Sequence, residues 1–341
     1  MKRIFVILLA LLLLLSCAAC AEKTPAVSAA PATAAPTAAS PAEPAANVRV
    51  GSLKGPTTMG LVNMMKSAEG GALEDTYVFT MATDASEIAA SLVAGDLDIA
   101  LIPANLAAVL YNKRTEKGIE VISINTLGVL YCISGDESIK SVNDLAGKTV
   151  LLTGQGTTPE YSLRYLLEQA GITDCNLEFR SEATEVAALL AADSSQIAVL
   201  PQPFATVAMV QNSELKECFS LSEAWDSLGS GSRMVTGVTV VRKAFLAEHP
   251  AAVERFLAAQ AESAKKANED IEGTANLIAE YGIIEKAPVA QKALPKCAVS
   301  CITGGEMASA LKGYLEILFK ADPSSVGGEA PDSGFYYSPK A

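Results

Sequence analysis

The chain has 341 residues, of which 50% are hydrophobic, 6% aromatic and 19% charged; it can bury one large core or two medium ones and is too apolar to be disordered throughout. Its formal charge of −12, from 26 basic and 38 acidic residues, argues against nucleic acid as a partner, because phosphate binding needs a basic face. One histidine, His249, leaves no basis for a His-based triad or a His-rich metal site.

Lys2 and Arg3 precede an apolar run from Ile4 to Leu15, which suits a signal-peptide core and is shorter than the about 20 residues a bilayer requires. The run ends in Leu14-Leu15-Ser16-Cys17-Ala18-Ala19-Cys20. This is similar to a bacterial lipobox, in which a cysteine is lipidated and becomes the first mature residue. Cys20 is the favoured frame, with Ala18-Ala19 before it but Cys17 where a leucine is usual. Cys17 is the alternative, with Leu14 and Ser16 in place but a bulky Leu15 between them. Residues 1–20 thus read as the lipoprotein signal segment, and cleavage of the leader before the lipidated cysteine takes Lys2 and Arg3 with it, moving the charge from −12 to −14. Residues 21–46 are almost only Ala, Pro, Thr and Ser, a disordered tether with no apolar periodicity to pack. No other stretch reaches about 18 apolar residues, so no transmembrane helix is predicted in the mature chain.

Periodicity predicts strands at Val48–Ser52, Ile99–Ile102, Val121–Ile124, Thr149–Leu152, Ile197–Leu200 and Gly237–Val241. It predicts helices at Met59–Ala68, Ala85–Ala94, Leu106–Asn112, Glu160–Ala170, Ala183–Ala192 and Phe204–Val210. The tail from Lys243 to Lys320 reads as wholly helical, with helices near Pro250–Asn268, Ile271–Tyr281 and Glu306–Phe319. Apolar strands alternating with helices imply parallel-rich sheets covered on both faces. Two extended runs, Thr126–Ile133 and Met234–Val241, suggest that the chain leaves a first lobe and returns to it. Lobe one is then 47–130 with 240–341, and lobe two 131–239, joined by a two-strand hinge with a ligand cleft between them.

The two halves echo one another. Thr57-Thr58 match Thr157-Thr158, and Glu87–Pro103 aligns without gaps on Glu185–Pro201 with eight identities in seventeen positions. Each copy reads as an apolar strand, a loop rich in Gly and Thr, two helices, a second apolar strand and a proline.

In such sheets ligands lie beyond the carboxyl ends of the strands, facing helix N-termini. Lys54-Gly55-Pro56-Thr57-Thr58 and Gly154-Gln155-Gly156-Thr157-Thr158-Pro159 fit that place, and free amides at a helix start favour an anionic group. Both loops also read as ordinary helix starts. Asn105 and Gln202 follow the strand-ending prolines and could offer amides to a guest or cap the next helix. Thr126 lies in the hinge run and Tyr161 one turn into a lobe-two helix. Trp225 could wall a cleft or fill a core, and His249 reads as a surface residue. Asp96 and Asp98 read as a turn after a helix. Of the five cysteines beyond Cys20, Cys297 and Cys301 could pair, though buried thiols fit better. No nucleophile and base cluster.

The lipobox, Gly95-Asp-Leu-Asp-Ile-Ala100, Asp144-Leu-Ala-Gly-Lys-Thr149 and the Gly-Thr-Thr loop together resemble solute-binding lipoproteins of ABC importers, and the resemblance covers about residues 48–320. More narrowly, they resemble the nitrate/sulfonate/taurine-type branch, which includes thiamine-precursor binders. The resemblance implies a two-lobed periplasmic-binding-protein fold of the second type and a monomer anchored outside the cell membrane by its N-terminal lipid. Its partners would be an ABC permease and ATPase and a small anionic or polar metabolite, with no cofactor, no metal and no catalysis. By loop position it carries ligand contacts onto Lys54, Thr57, Thr58, Asn105, Thr157, Thr158 and Gln202, beside which Thr126, Gly156 and Tyr161 are further candidates. The runner-up readings are an enzyme on the same fold and a sensor ectodomain. Related thiamine-pyrimidine synthases are expected to use a histidine, a lysine and a Cys-rich iron motif; one histidine and scattered cysteines disfavour the first. No spanning segment is predicted beyond Lys320, which disfavours the second.

Overall fold

The computed structural model describes residues 43–113 and 118–338; the leader, both candidate lipidation sites and the tether up to residue 42 lie outside the described residues. Its strands are β1 (Asn47–Leu53), β2 (Thr76–Ala82), β3 (Ile99–Pro103), β4 (Ile119–Leu127), β5 (Leu130–Ser134), β6 (Thr149–Leu152), β7 (Asn176–Phe179), β8 (Ile197–Pro201), β9 (Lys216–Ser220), β10 (Val235–Arg242) and β11 (Val299–Ile302). Helices are α1 (Pro56–Met59), α2 (Val62–Glu69), α3 (Ala85–Ala94), α4 (Ala104–Asn112), α5 (Thr158–Gln169), α6 (Ala183–Ala192), α7 (Phe204–Gln211), α8 (Leu221–Asp226), α9 (Lys243–Glu248), α10 (Pro250–Glu269), α11 (Ile271–Glu280), α12 (Ala287–Ala293) and α13 (Gly304–Ala321). Among the described residues no helix is long and apolar enough to cross a membrane.

The strands form two sheets, each the centre of one lobe. The first has the order β11-β4-β10-β3-β1-β2, the second β7-β6-β8-β5-β9. The repeat seen in the sequence is the shared part. β2-β1-β3 and β7-β6-β8 are parallel trios, and each is flanked by an antiparallel strand, β10 in one sheet and β5 in the other. Those two strands are the ones the chain enters on changing sheets: β4 ends at Leu127 and β5 begins at Leu130, while β10 follows α8. Gly128, between β4 and β5, has no room for a side chain, since a Cβ there would lie 1.9 Å from Ser222 Oγ.

Local chemistry sets the helix ends. Asp84 caps α3 by accepting from the Ser86 amide at 2.8 Å, and Gly95 closes it in the left-handed conformation at φ 85°, where a Cβ would be strained. Pro159 occupies the first turn of α5, where its missing N–H costs nothing. The long predicted helix Met59–Ala68 is in fact the turn α1 and the helix α2, separated at Gly60-Leu61. The tail is not wholly helical: Val299–Ile302 adds β11 to the edge of the first sheet, antiparallel to β4.

One apolar cluster runs through both lobes, from Ile88, Leu92 and Ile102 to Val150, Leu163 and Val199. Trp225 is fully buried within it, its Nε1 donating to Ser232 Oγ at 2.9 Å. The indole lies 4.5 Å from the Tyr165 ring of α5 and 5.7 Å from the Tyr314 ring of α13. Buried polar groups in the first sheet satisfy one another: Ser123 Oγ donates to Gln260 Oε1, and Gln260 Nε2 and Asn125 Nδ2 both donate to Thr239 Oγ1, as burial of such groups requires. Asp98, read from sequence as a turn residue, is buried and bridges strands. It accepts from Arg49 Nε at 2.9 Å and from Arg49 Nη2 and Arg242 Nη2 at 2.7 Å each. The end of the tether stretch is held to the body, since Ala46 N donates to Asp75 and Glu43 accepts from Ala251 N at the start of α10.

Candidate functional site

A crevice of about 860 Å³ opens between the lobes. Five loops that follow parallel strands converge on it. Lys54 and Gly55 follow β1, Thr83 follows β2, Thr153 and Gly154 follow β6, Ser181 follows β7 and Pro203 follows β8. This is the face on which strand ends and helix starts leave room for a ligand. Side chains of α6 and α7 form one wall, with Ala187, Phe204 and Val207; the segment between α11 and α12, Ile283 to Lys286, forms another with Val289. The charged residues of the lining are lysines 54 and 286 and glutamates 182 and 285, with no arginine.

Of the sequence candidates, Lys54 lines this crevice. Thr57 and Thr58 are buried behind it, their hydroxyls donating to Leu53 O at 2.9 and 2.5 Å, with Ser52 Oγ 2.7 Å from Thr58 Oγ1. They pin α1 to the end of β1. Gly154 and Gly156 are left-handed, at φ 76° and 71°. Thr157 Oγ1 donates to Gly154 O at 2.6 Å, which fixes the shape of the β6–α5 loop. The free amides expected at the helix starts are largely in use. Thr58 N and Met59 N donate to Gly55 O, and Gly156 N donates to the Glu160 carboxylate at 2.7 Å. An internal carboxylate already answers the positive end of α5, so this loop gives an anionic guest less than the sequence suggests.

Asn105, Thr158 and Tyr161 lie where the lobes touch. Thr158 Oγ1 approaches Asn105 Oδ1 at 3.5 Å, and Asn105 Nδ2 reaches Ser325 O at the same distance. Tyr161 OH donates to Asp322 at 2.8 Å; burial and that carboxylate push its pKa up to about 12, so it donates throughout the neutral range. Tyr131 OH donates to Lys296 O at 3.0 Å, and Lys296 pairs with Glu217 of β9. Thr126 is buried and donates to Asn125 Oδ1 at 2.8 Å. Gln202 Oε1 accepts from Thr206 Oγ1, while its buried Nε2 has no partner, nor does the buried Thr236 hydroxyl. Tyr314 OH, fully buried beside the Thr158 and Ser162 hydroxyls, is held above its ordinary pKa by burial.

Sequence reasoning missed Thr83, Ser181, Glu182, Glu285 and Lys286. The repeat carried a signal for the first two. Thr83 and Ser181 are separated by the same offset as Glu87 and Glu185, and each follows the middle strand of its copy, β2 or β7. No His/Cys/Asp/Glu group able to hold a metal ion occurs among the described residues. All five cysteines there are free thiols, with Cys297 buried and Cys301 partly so.

Two α/β lobes, each a parallel trio with one antiparallel return strand, meeting over a crevice at their strand ends, define the two-lobed periplasmic-binding fold. The model of the NMT1/THI5-like family matches residues 83–272, more than half of the chain, and the chain belongs to that family. Its fold is similar to that of an ABC transporter protein from Parabacteroides distasonis, with 23% identity and a TM-score of 0.74 over 86% of this chain and 99% of that one. It is also similar to the periplasmic aliphatic sulphonate binding protein SsuA of Escherichia coli, with 15% identity and a TM-score of 0.66 over 86% and 94% of the two chains. For the periplasmic nitrate-binding protein NrtA of Synechocystis the values are 14% and 0.51, over 69% and 66%. Among curated proteins none matches the sequence.

Proposed function

We propose that this protein is the extracytoplasmic solute-binding component of an ABC importer, held to the membrane through lipidated Cys20 and handing a small metabolite to a permease and its ATPase. The crevice built by strand-end loops of both lobes carries this reading, because a guest touching Lys54 and Thr83 on one side and Thr153, Gly154 and Ser181 on the other binds only when both are near. Such a guest favours the closed arrangement by its differential affinity. Residues 47–130 with 240–341 then move against 131–239, and the closed face is what the permease reads.

The lining favours a small organic solute over a bare oxyanion. Two lysines against two glutamates give no net positive trap, and Phe204, Val207 and Val289 offer apolar surface to a short carbon body. Calorimetric titration of the purified chain with short alkylsulfonates, zwitterionic amino acids, pyrimidines, nitrate and sulfate tests both statements. Saturable binding of an organic member with nitrate and sulfate silent is the expected outcome. Binding of the inorganic anions alone would overturn the solute class. Silence across a broad metabolite library, with no permease recovered as a partner, would overturn the transport reading.

A further inference from the structure

Outside the crevice, the second sheet brings two thiols together at its edge. β9 is the outermost strand of that sheet and pairs antiparallel with β5. Cys132 stands opposite Phe219 and Ile133 opposite Glu217, so Cys218 is the extra residue of a bulge that sets two residues of β9 against Cys132. Cys218 and Phe219 both pack on the apolar cluster that contains Cys132, which places the two cysteines on one face of the sheet. Phe219, directly opposite Cys132, has its Cα about 4.5–5.5 Å away, and the bulge sets the adjacent Cys218 beside the same residue of β5. The Cys218 thiol and burial raise the pKa of Cys132, and Cys132 lowers that of Cys218, whose Sγ also approaches Ser134 O and Lys216 O at 3.9 and 3.8 Å. Cys132 is buried and Cys218 only partly so, which leaves the edge-strand sulfur as the one reached from outside.

We propose that Cys132 and Cys218 are a cross-strand dithiol that closes to a disulfide by exchange with a low-molecular-weight disulfide. The Cys218 thiolate attacks one sulfur of the reagent, forming a mixed disulfide and releasing one thiolate. Cys132 then loses its proton to solvent and attacks the Cys218 sulfur, expelling the second thiolate. Two protein thiols are oxidised to one disulfide and the reagent disulfide is reduced to two thiols. The bond would staple edge strand β9, which carries Glu217 and its pairing with Lys296 of the other lobe, onto β5. An oxidising compartment would keep it closed. The proposal does not depend on the solute reading.

Oxidised glutathione added to the folded full-length chain, followed by intact-mass measurement and non-reducing peptide mapping, tests it. The expected product is lighter by two hydrogens, with the peptides of Cys132 and Cys218 linked. Cys218→Ser abolishes that product and Cys175→Ser retains it. A glutathione adduct that persists on Cys218, a link between any other pair such as Cys297 and Cys301, or no reaction under conditions that oxidise the unfolded chain would each overturn it. The map of the unaltered protein decides the matter even if a variant fails to fold.

Discussion

Asp98 shows how much one buried carboxylate organises. It lies immediately before β3 between two arginines, Arg49 of β1 and Arg242 of β10, and so ties three adjacent strands of the first sheet at one end. Burial alone would raise its pKa, but the hydrogen bonds from Arg49 and Arg242 outweigh burial and hold the carboxyl below the usual range. Asp75 behaves likewise: burial opposes ionisation, and Arg255 with the Ala46 amide overrides it. A pKa depressed by folding contributes stability that is complete above the unfolded value, about 4, and is lost as the pH falls through the lower folded value. The acid limb of the stability curve should therefore steepen below about pH 4. Asp98→Asn should lower unfolding free energy by about 3 kcal/mol in urea titrations at neutral pH, and its acid limb should be shallower. An unchanged urea midpoint would show that the bridge contributes nothing net.

At the scale of elements, the β6–α5 loop of the crevice is tightly constrained. Gly154 is left-handed, and a Cβ there would meet Thr157 Oγ1 at 2.4 Å. Gly154→Ala should cost about 1–3 kcal/mol by thermal or urea unfolding and weaken solute binding by shifting Thr153. A variant as stable and as tight as the parent would refute that account. This loop was legible because glycine, threonine and proline punctuate it. So were the central strands β1, β3, β6 and β8, which are buried on both faces and read as continuous apolar runs. The second strand of each repeat was not. β2 and β7 are edge strands, exposed along much of their length, and an exposed strand has no reason to keep an apolar pattern. β11 escaped for a related cause, being four residues at an edge between helical stretches. In the site, Lys54 and the glycines announced themselves locally. Glu285, Lys286 and Val289 reach the crevice from the distant tail, and no local pattern marks a residue whose role depends on how far the chain returns.

For the whole molecule, the lobes meet in two different ways. The crevice side is lined mainly by loops and helix starts, whereas the seam is packed and partly polar, with Tyr161 on Asp322, Tyr131 on Lys296, and α5 against α13. The contacts at the seam join the two lobes directly. Tyr161→Phe keeps the ring and removes a hydrogen bond to a charged acceptor, a loss of about 1–2 kcal/mol. If that bond exists only in the closed arrangement, solute affinity should fall about 5- to 30-fold and small-angle scattering should show a larger radius of gyration without solute. Equal affinity and an equal radius would mean that the pair survives opening.

The indole packed between Tyr165 and Tyr314 also makes this protein its own instrument. Because Trp225 is the single tryptophan of the chain, its emission comes from one address, at the boundary between α5, α8 and α13. Separation of the two bodies would admit water beside the ring and shift the emission to the red, and an arriving solute would shift it back. Rapid mixing with candidate compounds could then time closure optically, without any attached dye; a spectrum indifferent to a solute bound by calorimetry would show that this boundary stays shut throughout the cycle.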